Sequence, residues 1–325
     1  MELVGNLMGN SLVFSVIIPL YNKADTVGRT LRSVQAQTYR DFEVVVVDDG
    51  STDNGLLEVE KFRDLFPLKV VRQQNAGVSV ARNTGAQHSS APYLAFLDAD
   101  DEWLPGYLDE IMSMMRKWPN IEVYGTNYYY MLERCVVSNR VWGRTQRLID
   151  FQKAWITRCP IHTSSSVVKK SAFHAVGGFE RGHSYYEDAE LLFKLSRRGM
   201  FCVSQLPLLK YNTDAIVRAT GSDKPFSAYA HWSYIEATFA SGGICNGLER
   251  VARAEVERRL IENFLHNRLN CSFQIKAGFP HMFNTVGRVG DMLLDRQKFS
   301  SWFIAVCIKI KYFVVARLAI RRQSI

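Results

Sequence analysis

The chain has 325 residues, 47% of them hydrophobic and 22% charged, with 21 glycines and nine prolines spread along it, a usage that excludes a disordered protein. That length can bury one large core with a smaller annex. The formal net charge is +8, and residues 226–325 hold 14 Lys or Arg against 7 Asp or Glu, so the N-terminal two thirds are nearly neutral.

Six cysteines (Cys135, Cys159, Cys202, Cys245, Cys271, Cys307) form no CxxC pair, in a chain too long to need disulfide staples. Reduced thiols in a cytoplasmic protein are expected. The first eleven residues carry no Lys or Arg ahead of their short apolar stretch, so no secretory leader is expected. The apolar stretch Trp302–Ile320 is broken by Lys309, Lys311 and Arg317, and no membrane-spanning helix is expected.

From Ser15 onward, short β-rich runs alternate with helical patterns, which predicts a parallel sheet covered by helices. Ser15–Pro19 reads as a buried strand. Asp25–Gln37 reads as a helix with Val27, Leu31 and Val34 on one face, capped by Asp25 or Thr26. Phe42–Val47 contains four consecutive valines, as a strand buried on both faces requires. Asn54–Phe66 is predicted as a helix, with Ser51 or Asp53 as its cap. Leu68–Val71 reads as a strand, Val78–Gln87 as a helix, Tyr93–Leu97 as a strand and Gly106–Lys117 as a helix. Later come strands at Val123–Tyr130 and Ser165–Lys169, a helix at Asp188–Arg198 ended by Gly199, and a long amphipathic helix at Leu248–Leu269.

Polar clusters fall just after each early strand: Tyr21-Asn22, Asp48-Asp49-Gly50-Ser51, Arg72-Gln73-Gln74-Asn75, and Asp98-Ala99-Asp100-Asp101. If the strands are parallel, all four share the sheet edge where open α/β sheets bind ligands. Three carboxylates within four positions repel one another unless a cation or donor network balances them. Hard oxygen ligands of this kind suit Mg2+ or Mn2+ rather than zinc. The plain alternative is an acidic turn capping the next helix. Asn75–Asn83 forms a loop entering a helix, able to aim backbone donors and Arg82 at a phosphate or base. Glu187-Asp188 opens a helix, where carboxylates are favoured by the dipole. In a transferase, one of the pair would accept a proton from the acceptor hydroxyl. His162 and His183 are possible ligands or acceptor contacts, and neither is selected.

Four stretches, SVIIPLYNKADTVGRTLRSVQAQTYRDFEVVVVDDGSTDNG, QQNAGVSVARNTGA, YLAFLDADDEW and VGGFERGHSYYEDAELLFKLSRRG, together resemble the family 2 glycosyltransferases, of GT-A fold. The resemblance covers about Phe14 to Gly199. It implies that Pro19, Tyr21 and Asp49 line the nucleoside pocket, that Asp98 reaches ribose or metal, and that Asp100 binds the metal on the donor diphosphate. It further implies Asp188 as general base with Glu187 beside it, and an inverting transfer from a nucleotide sugar. Tyr185-Tyr186 before the acidic pair, and Ala189 after it where the family often has an aromatic, leave the acceptor pocket unpredicted.

The expected organisation is an N-terminal extension (1–11), a GT-A domain (12–225, with a nucleotide-sugar half about 12–120 and an acceptor half about 121–225), and a basic helical region (226–325). The expected donor is a UDP-sugar and the acceptor a glycan or lipid-linked glycan, as in bacterial surface polysaccharide synthesis. Residues 299–325, basic with interleaved aromatics, suit peripheral contact with an anionic membrane, and nucleic acid is not expected as a partner. Rival readings are a sugar-1-phosphate nucleotidyltransferase, which would want a Gly-rich loop where Pro19–Lys23 has no glycine, and a catalytically silent scaffold. Neither GxGxxG nor GxxxxGK[ST] occurs.

Overall fold

The computed structural model describes residues 12–132, 135–138, 146–155, 160–183, 186–212, 230–241 and 249–256, together with Pro280. The chain divides into two compact units, residues 1–231 and 232–325.

The first unit opens with alternating strands and helices: β1 (Phe14–Leu20), α1 (Ala24–Gln35), β2 (Phe42–Asp48), α2 (Gly55–Glu60), β3 (Leu68–Arg72), α3 (Val78–His88) and β4 (Tyr93–Phe96). β2 is buried along its whole length, and its valines divide by the two-residue strand period. Val44 and Val46 face the main core with Leu31 and Phe62, whereas Val45 and Val47 pack with Ala81 of α3 on the other side. α3 lies close to the sheet because Gly85 has no Cβ; one built there would strike Ile17.

β5 (Glu102–Trp103), α4 (Tyr107–Lys117), β6 (Val123–Leu132), β7 (Cys135–Ser138), β8 (Gln146–Ile149) and α5 (Phe151–Trp155) follow. A 3-10 turn at Thr163–Ser165 then leads into β9 (Ser166–Lys169), α6 (Lys170–Ala175), α7 (Glu187–Ser196) and β10 (Phe201–Asn212). Among the described residues the sheet has ten strands, ordered β3-β2-β1-β4-β9-β6-β10-β5, with β7 on β6 and β8 on β10. The pairs β1·β2, β1·β4 and β2·β3 are parallel, so the four early polar clusters do share one edge. Beyond β4 the direction reverses: β9 runs antiparallel to both β4 and β6, while β6 and β10 are parallel.

Several expectations are corrected. The predicted helix at 54–66 stops at Glu60, and the chain continues in tight turns with Phe62 N–H bonded to Val59 and Leu65 N–H to Phe62. This tighter winding turns Phe62 and Phe66 together toward the core, with Phe66 6.1 Å from the Phe42 ring. Neither Asp25 nor Thr26 caps α1. The exposed Asp53 instead accepts the Ala24 N–H through Oδ2 (2.8 Å) and the Gly55 N–H through Oδ1 (2.9 Å), serving the starts of α1 and α2 at once. The 12-residue β10, with its irregular register around Pro207, has no counterpart among the predicted elements.

In the second unit, Trp232 is buried and its indole N–H donates to Glu255 Oε2 at 3.4 Å. Residues 249–256 are helical with Val251, Ala252 and Val256 buried, within the predicted helix at 248–269. Residues 1–11 and the basic segment 299–325 lie outside the described residues. No helix among the described residues is long and apolar enough to cross a membrane.

Candidate active site

The site forms at the C-terminal edge of the parallel strands. Asp49 follows β2 and is 3% exposed. Its Oδ1 accepts from Gln73 Nε2 (2.8 Å) and the Ala76 N–H (2.9 Å), and its Oδ2 accepts the Gly77 N–H (2.9 Å). The carboxylate therefore shapes the loop that enters α3. Gly50 beside it has φ +76, and a Cβ there would lie 2.9 Å from the Asn75 backbone nitrogen, so this close approach needs glycine. Asp48 accepts the Ser51 N–H (2.9 Å) and pairs with Arg72. Pro19 is part-buried at the end of β1, and Tyr21 just beyond is 43% exposed, an aromatic face open at the edge.

Arg82 lies on α3 and is 3% exposed, turned inward rather than toward solvent. Its Nη2 donates to Asp98 Oδ1 at 2.7 Å and its Nη1 to Glu187 Oε1 at 2.8 Å, with the guanidinium carbon 5.1 Å from the Phe179 ring centroid. Burial disfavours the arginine charge, but Asp98 and Glu187 outweigh that and raise its pKa. Asp98, penalised by burial, is nonetheless held below the usual carboxylate range by Arg82. Glu187 is pushed up, first by burial and then by the neighbouring Asp188 charge, with Arg82 opposing.

The three acidic positions after β4 separate by environment. Asp100 pairs with Lys23 Nζ at 2.6 Å, its side chain 17% exposed. Asp101 is fully buried and accepts the Asn212 N–H at 3.0 Å, while its own carbonyl accepts from Thr30 Oγ1 at 2.8 Å. Burial, then the charges of Asp100 and Asp98, push the Asp101 carboxyl well above its usual range. It is a structural tie between β4, α1 and β10. Among the described residues no three His, Cys, Asp or Glu side chains converge on a common point for an ion. The donor set therefore does not form a closed protein cage. It does fit the way Mg2+ or Mn2+ is commonly held, by one or two carboxylates (here Asp100 and Asp98) plus phosphate oxygens and water.

The reversal at β9 brings the other half of the site into place. Because β9 is antiparallel to β4, with Val167 opposite Ala95, the residues just before β9 lie beside those just after β4. Ser164 Oγ accepts the Asp98 N–H at 3.1 Å, and the Ser164 carbonyl accepts from Trp103 Nε1 at 2.6 Å. Thr163 Oγ1 donates to Asp188 Oδ2 at 2.6 Å, while Asp188 Oδ1 accepts the Ala189 N–H at 2.8 Å. Asp188 thus sits at the start of α7 with its carboxylate fixed from two sides. Tyr186, at φ 58, turns the chain into this helix and is 39% exposed. His183, by contrast, is engaged by Glu190 at 2.6 Å.

The structure brings Arg82, Asp98, Glu187, Asp188 and Asp100 together, with Tyr21, Pro19 and Asp49 on the same edge toward β2. Thr163 and Ser164 carry hydrogen bonds to two of these residues and went unselected in the sequence. The available signal was the run Thr163–Ser166, four hydroxyl residues leading into an apolar strand.

This architecture is the GT-A fold. The sequence matches the model of glycosyl transferase family 2 over residues 15–177, and the chain belongs to that family. An uncharacterized glycosyltransferase of Escherichia coli K12, YibD, is 38% identical over 109 residues, 33% of this chain and 32% of that protein. The E. coli protein WfgD, named as a UDP-Glc:alpha-D-GlcNAc-diphosphoundecaprenol beta-1,3-glucosyltransferase, is 35% identical over 127 residues, 39% of this chain and 50% of that protein. The matched stretches thus span a third to a half of these two relatives. The crystal structure of S. aureus TarS 1-349 in complex with UDP-GlcNAc superimposes with a TM-score of 0.70 over 87% of this chain and 84% of that one, at 18% identity, a likeness of fold.

Proposed function

We propose that the protein is an inverting glycosyltransferase that moves a hexosyl or N-acetylhexosaminyl group from a nucleoside diphosphate sugar, a UDP-sugar foremost, to a hydroxyl of a glycan or lipid-linked acceptor. The observation that carries this is the Arg82 bridge between Asp98, on the strand edge suited to a nucleotide, and Glu187-Asp188, a carboxylate pair suited to proton removal. Support for the donor comes from the UDP-GlcNAc complex of TarS, and for the acceptor class from the name of WfgD.

In this reading Tyr21 flanks the base, and Pro19 and the loop held by Asp49 wall the nucleoside pocket. Asp98 would reach the ribose, or with Asp100 would hold the ion. A bound Mg2+ or Mn2+ would supply charge stabilisation for the departing diphosphate. Asp188 takes the proton of the acceptor hydroxyl as that oxygen bonds to the anomeric carbon. The bond from that carbon to the diphosphate oxygen breaks, and the nucleoside diphosphate leaves with the electron pair. Glu187, held by Arg82, fixes the start of α7 so that Asp188 faces the reacting centre. Residues 299–325 would hold the enzyme at an anionic membrane, near a lipid-anchored acceptor.

The test is a thermal-shift panel of nucleoside diphosphates and nucleotide sugars, with and without manganese, followed by an assay of diphosphate release on acceptor addition. A manganese-dependent shift with UDP or a UDP-sugar, diminished in Asp100→Ala, is expected. Absence of any nucleotide-induced shift across the panel overturns the reading.

A further inference from the structure

The 3-10 turn before β9 places one more group in the site. His162 Nδ1 accepts the Ser164 N–H at 3.3 Å, and the His162 N–H is bonded to Ser165 Oγ at 2.9 Å, so the ring is fixed relative to its own backbone. With Nδ1 acting as acceptor, the imidazole proton resides on Nε2. Burial holds the ring's pKa below the usual histidine value despite the opposing pull of Asp188 and Asp98, so at neutral pH it is an uncharged donor. The ring packs 4.3 Å from Tyr211 and 5.7 Å from Tyr128, and no described residue accepts a hydrogen bond from Nε2.

Its position is set by its neighbours in the turn. Thr163 is bonded to Asp188 and Ser164 to the backbone of Asp98, so the turn spans the gap between the base and the donor carboxylates. The charges of Asp188, Asp98 and Asp100 all act on the His162 ring. A sugar passing from a diphosphate at Asp98 and Asp100 to a hydroxyl at Asp188 must occupy the same interval. On the glycosyltransferase reading above, we infer that His162 Nε2–H donates to a hydroxyl of the transferred sugar, making His162 a binding and specificity residue for the donor sugar rather than for the nucleotide.

The full-length protein, wild type and His162→Gln, His162→Phe and His162→Ala, is titrated calorimetrically with UDP, UDP-glucose and UDP-N-acetylglucosamine in the presence of manganese. UDP affinity should agree within about twofold across all four, which also reports that each variant is folded. The tighter-binding UDP-sugar should weaken roughly tenfold in the Phe and Ala variants, the size of one lost hydrogen bond, and recover in the Gln variant, whose amide can donate. UDP-sugar affinity unchanged in the Phe and Ala variants overturns the inference. So does an equal weakening of UDP, which would place the contact on the diphosphate. Failure of wild type to bind UDP or either sugar nucleotide overturns the glycosyltransferase reading itself, an outcome distinct from wild-type binding with indifferent variants.

Discussion

Arg82 and Glu187, 105 positions apart in the chain, meet at 2.8 Å through guanidinium Nη1 and carboxylate Oε1, and the same guanidinium holds Asp98. Two regions that a linear reading assigns to separate halves of the site are therefore joined by one buried cation.

Removing that cation leaves two largely buried carboxylates uncompensated. Arg82→Ala is expected to lower stability by about 3–5 kcal/mol, the usual cost of breaking a buried ion pair from one side. Arg82→Lys keeps the charge but cannot fork between two partners, and is expected to retain part of the stability while losing most of the transfer rate. Chemical denaturation together with initial-rate measurements checks both; wild-type stability in Arg82→Ala would remove the bridge from the account.

Asp188→Asn preserves the shape of the side chain and keeps one acceptor oxygen for the Ala189 N–H, while its NH2 faces Thr163 Oγ1, whose hydroxyl can turn to accept; it cannot take a proton. Transfer is expected to fall by about 10²-fold or more, in keeping with loss of a general base, while UDP binding measured by calorimetry stays near wild type. A variant that turns over at close to the wild-type rate would exclude Asp188 as the base.

Gly85 lies on α3 directly over Ile17, where a Cβ has no room, and such a Cβ would also lie 3.4 Å from Val47 Cγ2. Gly85→Ala should raise helix propensity and yet destabilise, because overpacking of about 1–3 kcal/mol exceeds the roughly 1 kcal/mol propensity gain. A rise in Tm for this variant would show that α3 can lift from the sheet without cost.

Cys202 in β10 is fully buried, and burial pushes its thiol up to about 12. A raised acid favours folding while both forms are protonated, and the contribution is lost as pH climbs from the unfolded thiol's pKa toward about 12. In the native protein at pH 8, mass spectrometry should therefore find Cys202 slow to react with iodoacetamide, and rapidly modified once denaturant is added. Fast native labelling would contradict the burial.

The parallel half of the molecule was readable because each of its strands is an apolar run followed at once by a polar cluster, and the structure places those clusters on one edge. The antiparallel half was less so. β10 alternates imperfectly, and Pro207 interrupts its register, so no period-2 pattern marks it as a 12-residue strand. Arg82 illustrates the same limit at the site. Its neighbours in sequence describe a loop entering a helix, but its partners come from the segment after β4 and from α7. His162 and Thr163 were obscured for a related reason: a lone histidine and a threonine gain meaning from what lies across the sheet, not along the chain.

The reversal at β9 also bears on any attempt to cut the molecule into modules. β4 is covered on its outer side by β9, which arrives some seventy residues later. A truncated chain ending after α4 would contain every polar cluster of the parallel half, but would leave the outer hydrogen-bonding groups of β4 bare, beside the apolar residues Leu94 and Phe96. Such an unprotected edge is a template for pairing with other chains. The parallel half is thus legible on its own yet not separable on its own, and its solubility depends on a strand from the antiparallel half.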